Sequence, residues 1–155
     1  MTRLHEEIET PLSLDVAFPF VADFANSSRW DPGVRSSEAV NPGSPAVGAR
    51  YRLMVRMGGR FAPMEYRVSA LEPMRRVVLT GSGSGVSAVD EIRFERAGTG
   101  THIDYTADIR LGGLLRLVQP FLGRSFRKIA KDALAGMEKT LSEMAARETA
   151  GSRQG

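Results

Sequence analysis

Apolar and polar residues alternate with a period of two through most of residues 50–110. Tyr51 and Leu53, for example, alternate with Arg50 and Arg52. This period predicts β-strands with one buried face and one solvent-facing face. Short connections between such strands favour antiparallel neighbours, so we predict an antiparallel meander. The alternation occurs in residues 50–57, 63–70, 87–95 and 102–110.

Three further strands bring the predicted sheet to seven. Residues 3–12 alternate loosely, residues 34–40 form another strand, and residues 77–80 are a short β-branched run. Between the first two strands, residues 15–24 and 26–30 predict two short helices.

The period becomes helical after Leu114 and remains so to about Ala146. A long amphipathic helix beside an antiparallel sheet with one apolar face predicts an α+β architecture. Seven twisted strands curl, and one helix is only ~10 Å wide, so a space can remain between them. Apolar residues repeat at three- and four-residue spacings: Phe126, Ile129, Ala130, Ala133, Met137, Leu141 and Met144.

The chain length suits one domain, which we assign to residues 1–147, with a disordered tail at 148–155. Apolar runs are shorter than the ~18 residues that cross a bilayer, and the first ten residues lack the apolar stretch of a signal peptide. The sequence contains no cysteine, which fits a reducing compartment. We therefore expect a cytoplasmic protein without an integral membrane segment.

Charged residues favour neither nucleic acid nor metal as a partner. The net charge is only +3, and the basic residues between Arg116 and Lys131 lack interleaved exposed aromatics, so we interpret them as a solvated helix face. The two histidines, His5 and His102, fall on the polar faces of their strands without metal-ligand spacing. We expect no metal, no cofactor and no nucleic-acid partner.

Two carboxylates fall on apolar strand faces. Asp90 shares a face with Ile92 and Phe94, and Glu6 shares a face with Leu4. A buried carboxylate costs several kcal/mol unless it is paired, and its pKa rises. Asp90 and Glu6 are therefore the candidate catalytic residues, although each could instead lie at a strand end or pair with an arginine.

Several strings of the sequence resemble the SRPBCC superfamily, also called START-like or polyketide cyclase/dehydrase-like. They are FPFVADFANSSRWDPGV, VGARYRL, LEPMRRVVLTG and AVDEIRFERAGTGTHIDYTADIRLGG, followed by the amphipathic helix. The resemblance covers residues 3–145 and implies a helix-grip fold, in which the curved sheet wraps around the long C-terminal helix and encloses an apolar cavity. Trp30, the one tryptophan, would plug the end of the core or stack on a ligand.

The resemblance favours binding of a small hydrophobic molecule, such as a lipid, polyketide, quinone or aromatic metabolite. A cyclase or dehydratase is the alternative, with Asp90 or Glu6 moving a proton without a metal while a tyrosine holds an oxygen. A protein-interaction module is a third possibility, and a homodimer stays open. We expect a cavity of roughly 300–1,000 Å³. Its wall would be formed by Trp30, Tyr51, Leu53, Met64, Tyr66, Phe94, Tyr105, Ile129, Ala133 and Met137.

Glycines concentrate in every second turn of the predicted meander, at residues 58–59, 81–85 and 112–113. Successive turns of a meander lie at alternate ends of the sheet, so these glycines should share one end. Because glycine leaves the backbone mobile and adds no side chain, we predict that the cavity opens at this end.

Overall fold

The structure is a computed structural model that describes residues 1–154, with the side chains of residues 1–152. Short 3-10 turns lie at Phe24–Asn26, Gly113–Leu117 and Gln119–Phe121. The helices are α1 (Leu14–Ala22), α2 (Ser27–Trp30) and α3 (Gly123–Gln154). The strands are β1 (Thr2–Thr10), β2 (Val34–Ala39), β3 (Arg50–Met57), β4 (Arg60–Glu72), β5 (Arg76–Gly83), β6 (Val86–Ala97) and β7 (Gly100–Leu111).

All seven strands form one antiparallel sheet in the order β1-β7-β6-β5-β4-β3-β2. Strands β2 to β7 follow one another as a meander, and β1 closes the other edge by pairing with β7 from Thr2↔Ile109 to Thr10↔Thr101. The long helix α3 lies mainly over β1 and reaches α2. The predicted helix-grip architecture, with two short helical segments before β2, is confirmed.

The core lies between the inner face of the sheet and α3. The helix buries one stripe of side chains at helical spacing: Ala133, Leu134, Met137, Leu141 and Ala145. Opposite this stripe, the inward residues of β3 to β7 and the apolar side of α1 form one continuous cluster. The inward residues are those that the alternating pattern selected, because strand side chains point to opposite faces in turn.

Helix α3 touches α2 with almost no space between the two backbones. A Cβ atom added at Gly136 would lie 2.1 Å from the Trp30 carbonyl oxygen. The Thr140 hydroxyl also donates a hydrogen bond to the Arg29 carbonyl, at 3.2 Å. Glycine at position 136 therefore allows the long helix to seat against the residue that carries the only indole ring.

The helix α3 differs from the prediction at both ends. It begins at Gly123, because the 3-10 turns between Gly113 and Phe121 take the place of the first predicted helical residues. At the other end it continues to Gln154, through residues that the sequence predicts to be a disordered tail. Alanines at 145, 146 and 150 are strong helix formers and extend the helical pattern there. Gly155 lies outside the described residues.

Among residues 1–154, no helix combines the length and the apolar character that a membrane-spanning segment requires.

Candidate functional site

The inner face of the sheet carries a buried carboxyl group bonded to a phenol. Asp90 on β6 is only 7% exposed, and its Oδ2 accepts a hydrogen bond from the Tyr105 hydroxyl on β7 at 2.5 Å. Tyr105 lies directly opposite Ile92, and Asp90 lies opposite Ala107, so the two side chains meet along a diagonal of the ladder. Diagonal neighbours are within reach only of long side chains such as tyrosine.

Burial makes the Asp90 carboxyl a weaker acid than an exposed aspartate. Loss of water raises its pKa from 3.8 to about 7, with smaller contributions from the negative charges of Asp31 and Asp108. The hydrogen bond from Tyr105 acts in the opposite direction but does not offset burial. Burial and the neighbouring carboxylate also raise the pKa of the Tyr105 phenol well above its ordinary value. The pair can therefore give or take one proton at neutral pH through Asp90, while Tyr105 stays protonated.

Small residues lie beside this pair, and the Tyr66 ring occupies the space above them. Ala88 lies two residues from Asp90 on the same face, and Gly81 lies opposite Ala88 on β5. Gly81 is in turn opposite Tyr66 on β4, whose ring lies flat over the glycine. A Cβ atom at residue 81 would be 2.5 Å from the Tyr66 ring. The absence of a side chain at Gly81 is what lets the Tyr66 ring lie across the sheet toward β6.

Aromatic rings surround the pair. The ring of Trp30 lies edge-to-face with that of Tyr105 at 6.3 Å between centroids, and Phe24 contacts Trp30 at 6.3 Å. Phe24 also packs edge-to-face on Tyr66 at 5.3 Å and lies 6.4 Å from Tyr51. These rings come from α2, the 3-10 turn before it and three strands, so the shell forms only when the short helices close over the sheet.

One polar atom in this shell lacks a partner. The indole Nε1 of Trp30 is buried and has no hydrogen-bond acceptor in the part of the chain that the structure describes. A buried donor without an acceptor costs about 1–3 kcal/mol. Asp31, the next residue, has its carboxyl partly buried, and burial raises its pKa to about 6. The Asp31 carboxyl accepts a hydrogen bond from the Gly33 backbone N–H at 2.8 Å, so of these two groups only the indole N–H lacks a partner.

Most of the residues predicted to line a cavity come together in the core. Ile129 does not, because it is 44% exposed on the outer side of α3. Glu6 lies opposite Tyr105 on β1 and is partly buried. The residues that meet in the core are Trp30, Tyr51, Leu53, Met64, Tyr66, Phe94, Tyr105, Ala133 and Met137.

These lining residues pack against one another. Two open cavities lie beside the cluster, and three of its members reach their walls: Leu53, Met64 and Phe94. One, of about 500 Å³, is lined largely by outward residues of β2 to β4 such as Glu38, Arg52 and Glu65. The other, of about 570 Å³, lies among charged residues near the β4–β5 turn, including Arg75 and Arg93. The sequence predicts a space of this size inside the sheet, but inward-turned aromatic rings occupy that region.

Sequence reasoning missed three contributors to the site. Phe24 was assigned only to a short helix and Gly81 only to a turn, and no role was predicted for Asp31. Gly81 is the clearest of these in hindsight, since it falls within the GSGSG string at a position that the structure assigns to β5. A glycine inside a strand often marks a close approach by another group.

The two histidines lie on the outer face of the sheet, as predicted. His5 Nε2 is 2.8 Å from Asp104 Oδ1, and Glu7 is close enough that the three residues could offer three ligand atoms within 4.8 Å. A hydrogen bond accounts for the His5–Asp104 contact, so we assign this exposed cluster to the sheet surface rather than to the site.

A family model described as "Polyketide cyclase / dehydrase and lipid transport" matches residues 1–142 of the chain. Among proteins with curated descriptions, none matches the sequence.

Solved structures of the same fold include a START superfamily protein from Mycobacterium smegmatis, with a TM-score of 0.73 and 16% identity over 95% of this chain and 99% of that chain. A protein from Thermus thermophilus gives a TM-score of 0.71 with 15% identity, covering 90% and 96% of the two chains. The di-domain ARO/CYC protein BexL of the BE-7585A biosynthetic pathway gives 0.69 with 18% identity, and the match covers 90% of this chain but 46% of BexL. At these identities the likeness carries the fold alone.

Proposed function

Because the chain belongs to the polyketide cyclase/dehydrase and lipid transport family of the SRPBCC superfamily, we propose that it binds a small hydrophobic molecule carrying one oxygen function, with that oxygen held between Trp30 and Asp90. Family and fold mark the chain as a hydrophobic ligand-binding or polyketide-cyclase-like protein. We infer the position of the ligand oxygen from the contacts of Trp30 and Asp90.

The unpartnered indole N–H is the observation that carries the proposal. Trp30 Nε1 is buried without an acceptor, and the Trp30 ring adjoins Tyr105, whose hydroxyl holds Asp90. A ligand hydroxyl could accept from Nε1 and donate to the Asp90 carboxylate, so both groups would gain a partner. Pockets of this kind combine an apolar wall with a few polar groups that orient the ligand.

Binding requires the core side chains to move, since the rings now fill the space. Met64 and Met137 belong to the same cluster and have unbranched, adaptable side chains that can repack around a guest. The apolar ligand would replace ring-to-ring contacts with ring-to-ligand contacts. The apolar area buried in the core is then retained, and the hydrogen bond to Trp30 is added.

The indole N–H of Trp30 gives a direct test, because a chain with one tryptophan has one indole cross-peak in a ¹H–¹⁵N NMR spectrum. We expect 2-naphthol to shift that peak downfield and to bind about tenfold more tightly than naphthalene, which lacks the oxygen. Asp90→Leu, an apolar replacement of similar size, should bind naphthalene as before and lose the preference for naphthol.

Native mass spectrometry of the protein purified from its own host provides a second test, because it detects a small molecule that remains bound. The proposal is contradicted if the indole peak responds to neither compound and no small molecule accompanies the protein. Equal affinity for naphthol and naphthalene would contradict the assignment of the polar end.

A cyclase is the second candidate, and the near-neutral pKa of Asp90 favours it. Ionised Asp90 could take the acidic proton between two carbonyl groups of a polyketide-like chain, and Trp30 Nε1 could stabilise the enolate oxygen that forms. With a linear 1,3,5-triketone, we expect the appearance of the cyclised product to accelerate as pH rises through about 7, because the base is the ionised form.

The variant Asp90→Asn should lower that rate by about 10²–10⁴. Glu6→Gln is the matched comparison, since Glu6 lies opposite Tyr105 but is only partly buried, and it should lower the rate less. An unchanged rate in Asp90→Asn, or a wild-type rate equal to that of buffer, would remove the cyclase candidate without affecting the binding proposal.

A further inference from the structure

The connection between β7 and α3 presents large apolar side chains to solvent. Its two 3-10 turns span Gly113–Leu117 and Gln119–Phe121. Leu114 is 85% exposed, Phe121 83% and Leu117 67%. Exposed apolar residues are common singly, but a contiguous group on a soluble domain indicates an interaction site. We call the following group the apolar ridge: Leu114, Leu115, Leu117, Val118 and Phe121.

A single buried residue, Gln119, anchors the ridge. Its Nε2 donates hydrogen bonds to the Ile109 carbonyl at 2.8 Å and the Thr2 hydroxyl at 3.0 Å. Its Oε1 accepts a hydrogen bond from the Leu111 backbone N–H at 3.1 Å. These bonds tie the turns to both β1 and β7, so the apolar side chains are held outward by the architecture.

The charged residues that flank the ridge along the chain, between Asp108 and Asp132, are all cationic. Residues 109–131 contain six arginines and lysines and no aspartate or glutamate. These six exceed the net charge of +3 of the whole chain, so the remaining residues together carry −3. Lys128 pairs with Asp132 at 2.7 Å. Within the described side chains, no acidic partner lies within ion-pair distance of Arg116, Arg124, Arg127 or Lys131.

We propose that the apolar ridge docks the protein onto an anionic lipid surface, with its apolar tips entering the interface and the surrounding cations binding headgroups. One surface of this kind supplies both an apolar layer and fixed negative charge, which is the combination that the ridge complements. A protein partner would need an apolar patch ringed by acidic residues, whereas any anionic bilayer has both.

The location of the ridge is consistent with a role near the ligand entrance. The Gly112 backbone N–H donates to the Gly85 carbonyl at 2.8 Å, and a Cβ atom at Gly85 would lie 3.0 Å from Leu115. The ridge therefore lies at the glycine-rich end of the sheet, where the sequence predicts the opening. Docking does not depend on the proposed ligand site, and its test uses no ligand.

Sedimentation with vesicles tests the proposal. We expect the full chain to bind vesicles containing about one third phosphatidylglycerol at least about tenfold more tightly than pure phosphatidylcholine vesicles, and to release as salt is raised. The double variant Leu117→Ser/Phe121→Ser should weaken binding at least about tenfold. Arg124→Gln and Arg127→Gln should each weaken it about fivefold.

Matched controls change the same residue types elsewhere. Val47→Ser removes an apolar side chain that is 65% exposed between β2 and β3. Arg75→Gln removes an exposed cation in the β4–β5 turn, at the opposite end of the sheet from the ridge, so both variants should bind like the wild type. Unaltered circular dichroism of each variant shows that the fold is intact.

Three outcomes would overturn the proposal. The first is the absence of binding to anionic vesicles. The second is binding that the Leu117→Ser/Phe121→Ser variant retains in full, which would indicate adhesion to any polyanion, including nucleic acid. The third is association of the chain with itself or with another protein through the ridge, without vesicle binding.

Discussion

Replacing Asp90 with asparagine is expected to stabilise the protein above pH 7, by up to about 4 kcal/mol. The folded protein holds the Asp90 proton up to about pH 7, whereas an unfolded chain releases it near 3.8. Between these values the folded state binds more protons than the unfolded state, so stability falls as pH rises from about 4 to about 7. Asparagine is neutral, has nearly the same shape and can still accept the Tyr105 hydrogen bond.

Urea unfolding followed by Trp30 fluorescence between pH 4 and pH 8 measures this effect. The wild type should lose stability across the window, and Asp90→Asn should lose much less. Burial of Asp31 also raises its pKa, to about 6, so a smaller slope of the same sign should remain in the variant. Glu95→Gln, which removes a charge from an exposed position on β6, should follow the wild type.

A wild type of equal stability at pH 4 and pH 8, or an Asp90→Asn variant less stable than wild type at pH 8, would contradict the buried carboxyl. If the effect is found, the protein carries an acid that costs it stability at neutral pH. Groups kept at such a cost cluster at functional sites, where burial sets the pKa that the chemistry needs.

Adding one methyl group at Gly136 is expected to destabilise the protein by about 1–3 kcal/mol. Helix propensity alone would favour alanine by about 1 kcal/mol. However, the new Cβ atom would lie 2.1 Å from the Trp30 carbonyl oxygen and 3.1 Å from Pro32 Cδ. The Trp30 contact is with the backbone, which cannot rotate away as a side chain can, so α3 must shift away from α2.

Gly151→Ala provides the control in the same helix, because nothing lies within 4 Å of a Cβ atom at that position. Its stability should equal or slightly exceed that of the wild type. Urea unfolding followed by circular dichroism compares the two variants, and a red shift of Trp30 emission in Gly136→Ala would report water reaching the indole. Equal stabilities for the two variants would show that α3 can move away from α2 without loss of unfolding free energy, which would contradict the prediction.

The local hydrophobic periodicity determined the secondary-structure elements and the face that each of them buries. A period of two selects the inward residues of a strand whatever its partner is, so Asp90, Tyr66 and Tyr105 were correctly placed inside from the sequence. A helical period likewise selected the α3 stripe that covers the sheet, since both periods are geometric properties of one chain segment. The same reasoning assigned both histidines to the outer face.

Local patterns do not determine how close residues of different segments come to one another. The bond between Tyr105 and Asp90 depends on the register of β6 against β7 and on the reach of the phenol along a diagonal, which no single strand contains. Whether a space remains inside the sheet depends on the summed volume of aromatic rings that five separate segments contribute. The sequence therefore predicted a cavity, and packing filled it with Phe24, Trp30 and Tyr66.

The ridge shows the same division between pattern and packing. Leu114, Leu117 and Phe121 follow spacings that a helix would bury, so the sequence assigned them to the start of the C-terminal helix and treated the nearby cations as a solvated face. Only the folded chain, in which Gln119 ties two 3-10 turns to β1 and β7, turns those side chains outward. The apolar character of these residues favours burial, but the hydrogen bonds of Gln119 hold the turns in a position that exposes them.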